Sequence, residues 1–138
     1  ARAMRAALAD AELTPNRIGH INTHGTGTYL NDEIEAAAIR RVFDGCWERI
    51  PVSSTKSVTG HTIAAAGAIE LGACLLPLAR GWVPPNPSLT EVGQGCELAH
   101  VTGEALAFDG EYALSNSFGF GGQNATIVLR RADEHSRR

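Results

Sequence analysis

The spacing of apolar residues along the chain alternates between a helical period and a strand-like one. Met4, Ala7, Leu8 and Ala11 recur at the i, i+3, i+4 and i+7 positions of a helix, which Pro15 is expected to end near residue 13. The same pattern predicts further helices at about 31–43 and 61–76, and strands at 18–23, 50–54, 105–108, 112–115 and 125–130. Because helices and short strands alternate with short loops, the sequence predicts an α/β layered fold.

Breaker residues and caps refine the predicted elements. Asn31 or Asp32 can cap the second helix, and Pro77 is expected to end or kink the third. Residues 82–87 contain three prolines and are expected to be extended or looped, whereas 91–100 have no regular pattern. An Asp109-Gly110 turn separates two of the strands, and a glycine-rich segment at 116–122 precedes the last one. Such a density of glycines indicates special backbone angles or close approach to another group.

Composition limits the classes of function. The chain has 138 residues, 43% of them hydrophobic, which suffices for one domain over 1–138 with a real core. A formal charge of −3 disfavours a nucleic-acid partner. The sequence shows no run of 18 apolar residues and no signal-peptide pattern, so we expect no membrane segment. The basic residues at the C-terminus are interrupted by acids and are interpreted as a solvated tail: Arg130, Arg131, Asp133, Glu134, Arg137 and Arg138.

The cysteines indicate the redox compartment of the protein, and the first residues indicate whether the sequence is complete. Cys46, Cys74 and Cys96 are odd in number and unevenly spaced, which fits a reducing cytoplasm better than a disulfide framework. The chain opens inside a predicted helix and without an initiator methionine. We therefore expect upstream sequence to be missing.

The first loop of chemical interest follows the predicted strand at 18–23. It reads His24-Gly25-Thr26-Gly27-Thr28, so a rigid strand holds a histidine while two glycines let the backbone turn sharply. Loop-borne polar residues often serve binding. A turn whose histidine merely caps the next helix remains an equal alternative.

The second loop, at 53–61, places Lys56 and His61 five residues apart between an apolar strand and an apolar helix. Lys56 is therefore expected to be half buried, and a buried lysine must be paired or neutralised. Asp32 and Glu35 share one face of the helix after His24, and Glu35 is the preferred partner for Lys56. A surface lysine, a capping histidine and ordinary capping acids are the alternatives.

These residues predict oxyanion chemistry rather than a metal centre. Their spacing matches no zinc pattern, and a lysine in the cluster would repel a cation. Two neutral histidines can instead donate two N–H bonds to one enolate or carbonyl oxygen, with Lys56 adding positive potential. The loop at 118–122 could supply a backbone N–H to a second oxyanion while its phenylalanines shape an apolar acyl channel. A tight glycine turn between two strands is the alternative for that loop.

Three motifs, in this order, resemble the C-terminal part of a β-ketoacyl synthase of the thiolase superfamily, the condensing type of fatty-acid or polyketide synthesis. They are residues 22–28 followed by Asn31-Asp32, residues 56–61 with the Ala/Gly-rich helix, and residues 115–124, which include Phe118-Gly119-Phe120-Gly121-Gly122. The resemblance covers nearly the whole chain. It implies the C-terminal half of a thiolase-like fold, a mixed β-sheet flanked by helices and incomplete at its N-terminus.

The resemblance also implies a decarboxylative Claisen condensation between an acyl-cysteine and a malonyl thioester, both delivered by an acyl carrier protein, with no metal or redox cofactor. The implied catalytic residues are His24 and His61, which bind the malonyl carbonyl, and Lys56, which orders the site. Glu35 and Asp32 would support them. The implied oxyanion-hole and gating residues are Phe120, Gly121, Gly122 and Phe118, and the substrate-binding residues are Thr26 and Thr28.

The chain departs from the family in one respect, because it lacks the nucleophilic cysteine. Family members carry this cysteine in a Thr-Ala-Cys-like turn in their N-terminal half. Cys74 is expected in the core, beside Glu70, and neither Cys46 nor Cys96 has the helix N-terminus or basic neighbours that activate a thiol. The chain could be a piece of a longer synthase, one product of a split gene, or a non-catalytic relative such as a chain-length-setting subunit. A thiolase would need a cysteine near the glycine motif, which has none. The complete form is expected to be a dimer.

Overall fold

The computed structural model describes residues 1–132, so the acidic and basic residues from Asp133 to Arg138 lie outside it. The helices are α1 (Arg2–Asp10), α2 (Tyr29–Val42), α3 (Lys56–Thr59) and α4 (Ala66–Arg80). The strands are β1 (Ile18–Asn22), β2 (Val52–Ser53), β3 (Trp82–Val83), β4 (Leu106–Ala107), β5 (Tyr112–Phe118) and β6 (Asn124–Arg130). The predicted α/β class is confirmed.

A four-stranded mixed sheet, in the order β2-β1-β5-β6, organises the chain. β1 runs parallel to both β2 and β5, whereas β5 and β6 are antiparallel. β3 and β4 form a separate antiparallel pair, so the strand before the Asp109-Gly110 turn pairs with β3 and not with β5. The predicted mixed sheet flanked by helices is confirmed.

Helices cover both faces of the sheet. Successive residues of a strand point to opposite faces, and β5 shows this with Leu114 and Ala113. Leu114 belongs to the larger apolar cluster with α1 and α2, which includes Met4, Leu8, Ile21, Ile39, Phe43 and Val52. Ala113 packs against Cys74 and Leu78 of α4. α4 thus lies on the face opposite α1 and α2.

Three predicted element ends are wrong. Thr28, with extended backbone, is the N-cap of α2, so Asn31 and Asp32 lie inside the first turn and do not cap it. The helix predicted from residue 61 begins at Ala66, after α3 and a short 3-10 segment. Pro77 does not end α4; the helix continues for three residues to Gly81, whose positive φ of 75° terminates it.

Part of the predicted C-terminal tail belongs to the sheet. Arg130 is the last residue of β6, and its Nε donates to Glu111 Oε1 at 2.8 Å. The guanidinium of Arg131 lies over the ring of Phe108, and its backbone N–H donates to the Glu111 carbonyl. The interpretation as a solvated tail is therefore wrong for these two arginines.

The segment Ile63–Arg80 has a mean hydropathy of 1.5 over 18 residues. By length and composition alone, it could cross a membrane. Core helices of soluble proteins meet the same criterion. α4 packs against the sheet through Cys74 and Leu78, and it carries the buried Glu70. We interpret it as a core helix.

Buried His20 makes the stability of the fold dependent on pH. Its Nε2 lies 2.9 Å from Ser53 Oγ, and burial lowers the pKa of the imidazole from 6.5 to about 4. The unfolded chain therefore takes up this proton first. The free energy of unfolding is expected to decrease by about 3 kcal/mol as the pH falls from 6.5 towards 4. Urea unfolding of the chain and of His20→Gln at pH 7 and pH 4 measures this contribution, and an equal pH dependence in both proteins would contradict it.

Candidate active site

Glu35 fixes the backbone of the loop that carries His24. The Glu35 carboxylate is buried on α2 and accepts the N–H of His24 at 2.9 Å and the N–H of Gly25 at 3.0 Å. Asn116 of β5 donates its amide to the same carboxylate at 3.1 Å. Burial raises the pKa of Glu35, while the hydrogen bonds from Gly25, His24 and Asn116 oppose that rise. The side chain predicted to pair with Lys56 therefore holds the His24 loop instead.

Lys56 lies at the start of α3 and is buried more deeply than the predicted half burial, and its partner is Glu70 of α4. The predicted pairing with Glu35 is wrong because α4 packs beneath the loop that leads from β2 and brings its own buried carboxylate to the ammonium. The sequence contained a signal for this pair. Glu70 is the only acid in an otherwise apolar helix, and such an acid needs a cationic partner.

The two histidine rings, on separate loops, come together at one place. His24 and His61 lie with ring centroids 5.4 Å apart and planes at 84°, and the ring of Phe118 lies 5.8 Å from His24. His61 is exposed, and its Nδ1 accepts the N–H of Ile63 at 3.1 Å. Since Nδ1 accepts, the neutral ring of His61 carries its proton on Nε2, which is then a free donor.

His24 is a neutral imidazole at physiological pH. Its pKa is lowered from 6.5 to about 4, first by burial and then by the positive charge of Lys56 and by His61, against a weaker opposite effect of Asp32. A neutral ring can donate one N–H without carrying a charge of its own. Lys56 thus affects the histidine through its charge.

The glycine-rich loop forms a tight connection between β5 and β6. The N–H of Gly119 donates to the Gln123 carbonyl at 2.8 Å, and Gly121 and Gly122 have positive φ of 74° and 79°, which favours glycine. The side chain of Phe120 is fully exposed. The loop is therefore a tight turn that presents Phe120 outward while Phe118 faces His24.

Several of the predicted site residues lie around a cleft of about 660 Å³. Thr26, Thr28, Asp32, Lys56 and His61 all line it. The hydroxyls of Thr26 and Thr28 are 2.8 Å apart, and Asp32 accepts a hydrogen bond from Asn31. A second cleft of about 460 Å³ is lined by His24, His61 and Phe118, so that His61 borders both.

Metal chemistry finds no support in the described part of the chain. Within residues 1–132, no group of three or more His, Cys, Asp or Glu side chains is placed to hold a metal ion. The charged groups around His24 include Lys56, whose charge lowers the pKa of its ring, and the Glu35 carboxylate, which accepts its backbone N–H. Such an arrangement suits stabilisation of a developing anion.

Comparison with known proteins identifies the family of the chain. The family described as "Beta-ketoacyl synthase, C-terminal domain" matches residues 1–90. The chain belongs to the β-ketoacyl synthase family. The 3-oxoacyl-[acyl-carrier-protein] synthase 2 of Coxiella burnetii is 43% identical over 128 residues, which are 93% of this chain and 31% of the relative. The chain therefore spans about a third of the length of that relative.

Solved ketosynthase structures share the fold. The β-ketoacyl synthase of Burkholderia phymatum matches with a TM-score of 0.90 and 44% identity, over 96% of this chain and 32% of that one. A type II polyketide ketosynthase, bound to the hexaketide and in complex with its acyl-carrier protein, matches with a TM-score of 0.91 and 35% identity, over the same shares. The fold described above is thus the C-terminal part of a thiolase-like ketosynthase fold.

The cysteines of the chain have the properties of unreactive thiols. Cys74 is completely buried, and burial raises its pKa to about 12, with a further upward effect of Glu70. Burial also raises the pKa of Cys46 and Cys96, and the Sγ of Cys46 donates to the Phe43 carbonyl. A nucleophilic cysteine needs the opposite shift.

Incubation of the chain with an acyl thioester at pH 7 should therefore leave all three thiols unmodified. Intact-protein mass spectrometry checks this, with a small cysteine-containing peptide as the reactive control. A stoichiometric acyl adduct on Cys46, Cys74 or Cys96 would show that this chain does contain a nucleophile.

Proposed function

We propose that this chain forms the malonyl-binding part of a β-ketoacyl synthase that condenses an acyl thioester with a malonyl thioester. The observation that carries the proposal is the edge-on pair of His24 and His61, held 5.4 Å apart by two loops, with His24 kept neutral. Two uncharged N–H donors aimed at one oxygen stabilise negative charge that develops there.

The chemical step follows from that placement. The malonyl thioester loses its terminal carboxyl group as carbon dioxide, and the electron pair of the broken C–C bond passes into an enolate whose oxygen carries the charge. His24 and His61 donate to this oxygen. The enolate carbon then attacks an acyl-cysteine, a C–C bond forms, and the cysteine thiolate leaves.

Lys56 serves this site through its charge and not through contact with the histidines. Its positive potential is one cause of the lowered pKa of His24, and Glu70 compensates its charge within the core. Glu35 positions the His24 backbone, and Asp32 lines the neighbouring cleft. We assign the supporting roles accordingly, with Glu70 added to the residues named from the sequence.

The turn after β5 would serve the acyl group. We propose that the backbone N–H of Phe120 helps to form the oxyanion hole, that Gly121 and Gly122 give the turn its shape, and that Phe118 and Phe120 border the acyl channel. The positive φ angles of the glycines and the position of Phe118 beside His24 support this assignment. Thr26 and Thr28 would contact the malonyl carrier arm, because both residues line the cleft of about 660 Å³.

An additional segment must supply the cysteine and cover an apolar face of α4. Ile69, Gly72 and Leu75 lie on the side of α4 opposite the buried Glu70 and Cys74, and Ile69 and Leu75 are 40% and 52% exposed. The relatives extend over about three times the length of this chain. We propose that a cysteine-bearing N-terminal segment or companion chain packs on this face.

The partners follow from the same proposal. An acyl carrier protein would deliver the acyl and malonyl groups, as the complex of a similar ketosynthase with its acyl-carrier protein suggests. The complete form would be a cytoplasmic dimer that needs no cofactor and binds neither nucleic acid nor membrane. A non-catalytic, chain-length-setting subunit is the alternative, but it would have no need of the His24, Lys56 and His61 arrangement.

Removal of either histidine donor tests the proposed chemistry. In the complete synthase, His24→Ala and His61→Ala should each slow the release of carbon dioxide from a malonyl thioester by about 10²–10³-fold, since each removes one donor to the enolate oxygen. Acylation of the cysteine should proceed in both variants, which shows that they fold. Undiminished carbon dioxide release would remove the altered histidine from the mechanism.

A further inference from the structure

The loops after β1 and β2, which carry His24 and His61, are joined to each other by hydrogen bonds. Regular pairing of these strands ends where the N–H of Thr23 donates to the Ser53 carbonyl at 2.9 Å. Beyond that point, the hydroxyl of Ser54 donates to the carbonyl of Gly25, next to His24, at 3.0 Å. This bond connects the loop of His24 to the chain segment that leads into Lys56.

Asn86 holds Ser54 in place from the other side. Its Oδ1 accepts the backbone N–H of Ser54 at 2.6 Å. Its Nδ2 donates to the carbonyls of Val52 at 3.2 Å and Val101 at 3.0 Å, and the Asn86 side chain is buried. The carboxamide thus continues the hydrogen bonding along the outer edge of β2 for one residue beyond the strand.

Gly25 lets the two loops approach closely. A Cβ atom at this position would lie 2.7 Å from both Cβ and Oγ of Ser54, and the backbone has a φ of +40°. Such a distance is shorter than any ordinary carbon contact, so a side chain at Gly25 would push the loops apart. The hydrogen bond of Ser54 and the absence of a side chain at Gly25 therefore act together.

We infer that Ser54 and Asn86 form a clamp that sets the separation of His24 and His61, and that both are positioning residues for malonyl decarboxylation. The inference rests on the proposed function, because it assumes that both rings bind one oxygen. Neither residue needs to touch the substrate for this role. A displacement of about 1 Å in a reacting geometry can reduce a rate by about a hundredfold.

The decisive variant is Ser54→Ala in the complete synthase. It should lower kcat for malonyl decarboxylation by between about tenfold and a hundredfold, with a much smaller change in KM and with acylation of the cysteine retained. Thr90→Ala, which removes an exposed hydroxyl outside the site, is the matched control and should leave both constants unchanged. Gly25→Ala should reproduce the defect of Ser54→Ala.

Nuclear magnetic resonance of the isolated chain gives a second readout that does not depend on activity. Ser54→Ala should weaken the cross-relaxation between the ring protons of His24 and His61, whereas Thr90→Ala should not.

Unchanged kcat with unchanged ring cross-peaks would overturn the clamp. Equal losses of decarboxylation, cysteine acylation and thermal stability would also overturn it, since they indicate a merely structural residue. If His24→Ala itself retains decarboxylation, the proposed function fails instead.

Discussion

Parallel pairing of β1 with β2 on one side and β5 on the other is the constraint on which the site depends. The carboxyl ends of parallel strands lie at the same edge of a sheet, which is where α/β folds bind their ligands. His24 follows β1, the loop with Lys56 and His61 follows β2, and Phe118 ends β5. Residues almost a hundred positions apart in the chain are therefore brought to one edge by the pairing of the strands.

Two buried carboxylates then hold the loops that the sheet brings to this edge. Glu35 holds backbone N–H groups of the His24 loop, and Glu70 compensates Lys56 under the second loop. Each is buried, so each would destabilise the fold without its partners. The result is a site in which Lys56 and Glu70 compensate each other's charge, while His24 remains neutral and available to a ligand.

The sequence was sufficient for what depends on local pattern and on motif order. The α/β class and the buried Cys74 follow from apolar periodicity, whereas the mixed sheet was implied by the resemblance that the three motifs carry. The loop that holds Lys56 predicted a half-buried lysine that needs a partner. The partner of Lys56 did not follow, because the choice between Glu35 and Glu70 depends on how α4 packs against the sheet. The clamp of Ser54 and Asn86 was missed for a different reason, because Asn86 lies in a proline-rich stretch with no local signal.

The exposed apolar face of α4 is the proposed packing site for the cysteine-bearing part of the synthase, and reconstitution tests this proposal most directly. The purified chain would be mixed with the cysteine-bearing N-terminal segment of the complete synthase, and β-ketoacyl product would be measured by mass spectrometry. Product is expected only from the mixture. No product is expected from a mixture that contains Leu75→Glu, because this variant places a charge on the face of α4 that must be covered. Product from the chain alone, or a stable complex of the two wild-type parts that forms no product, would contradict it.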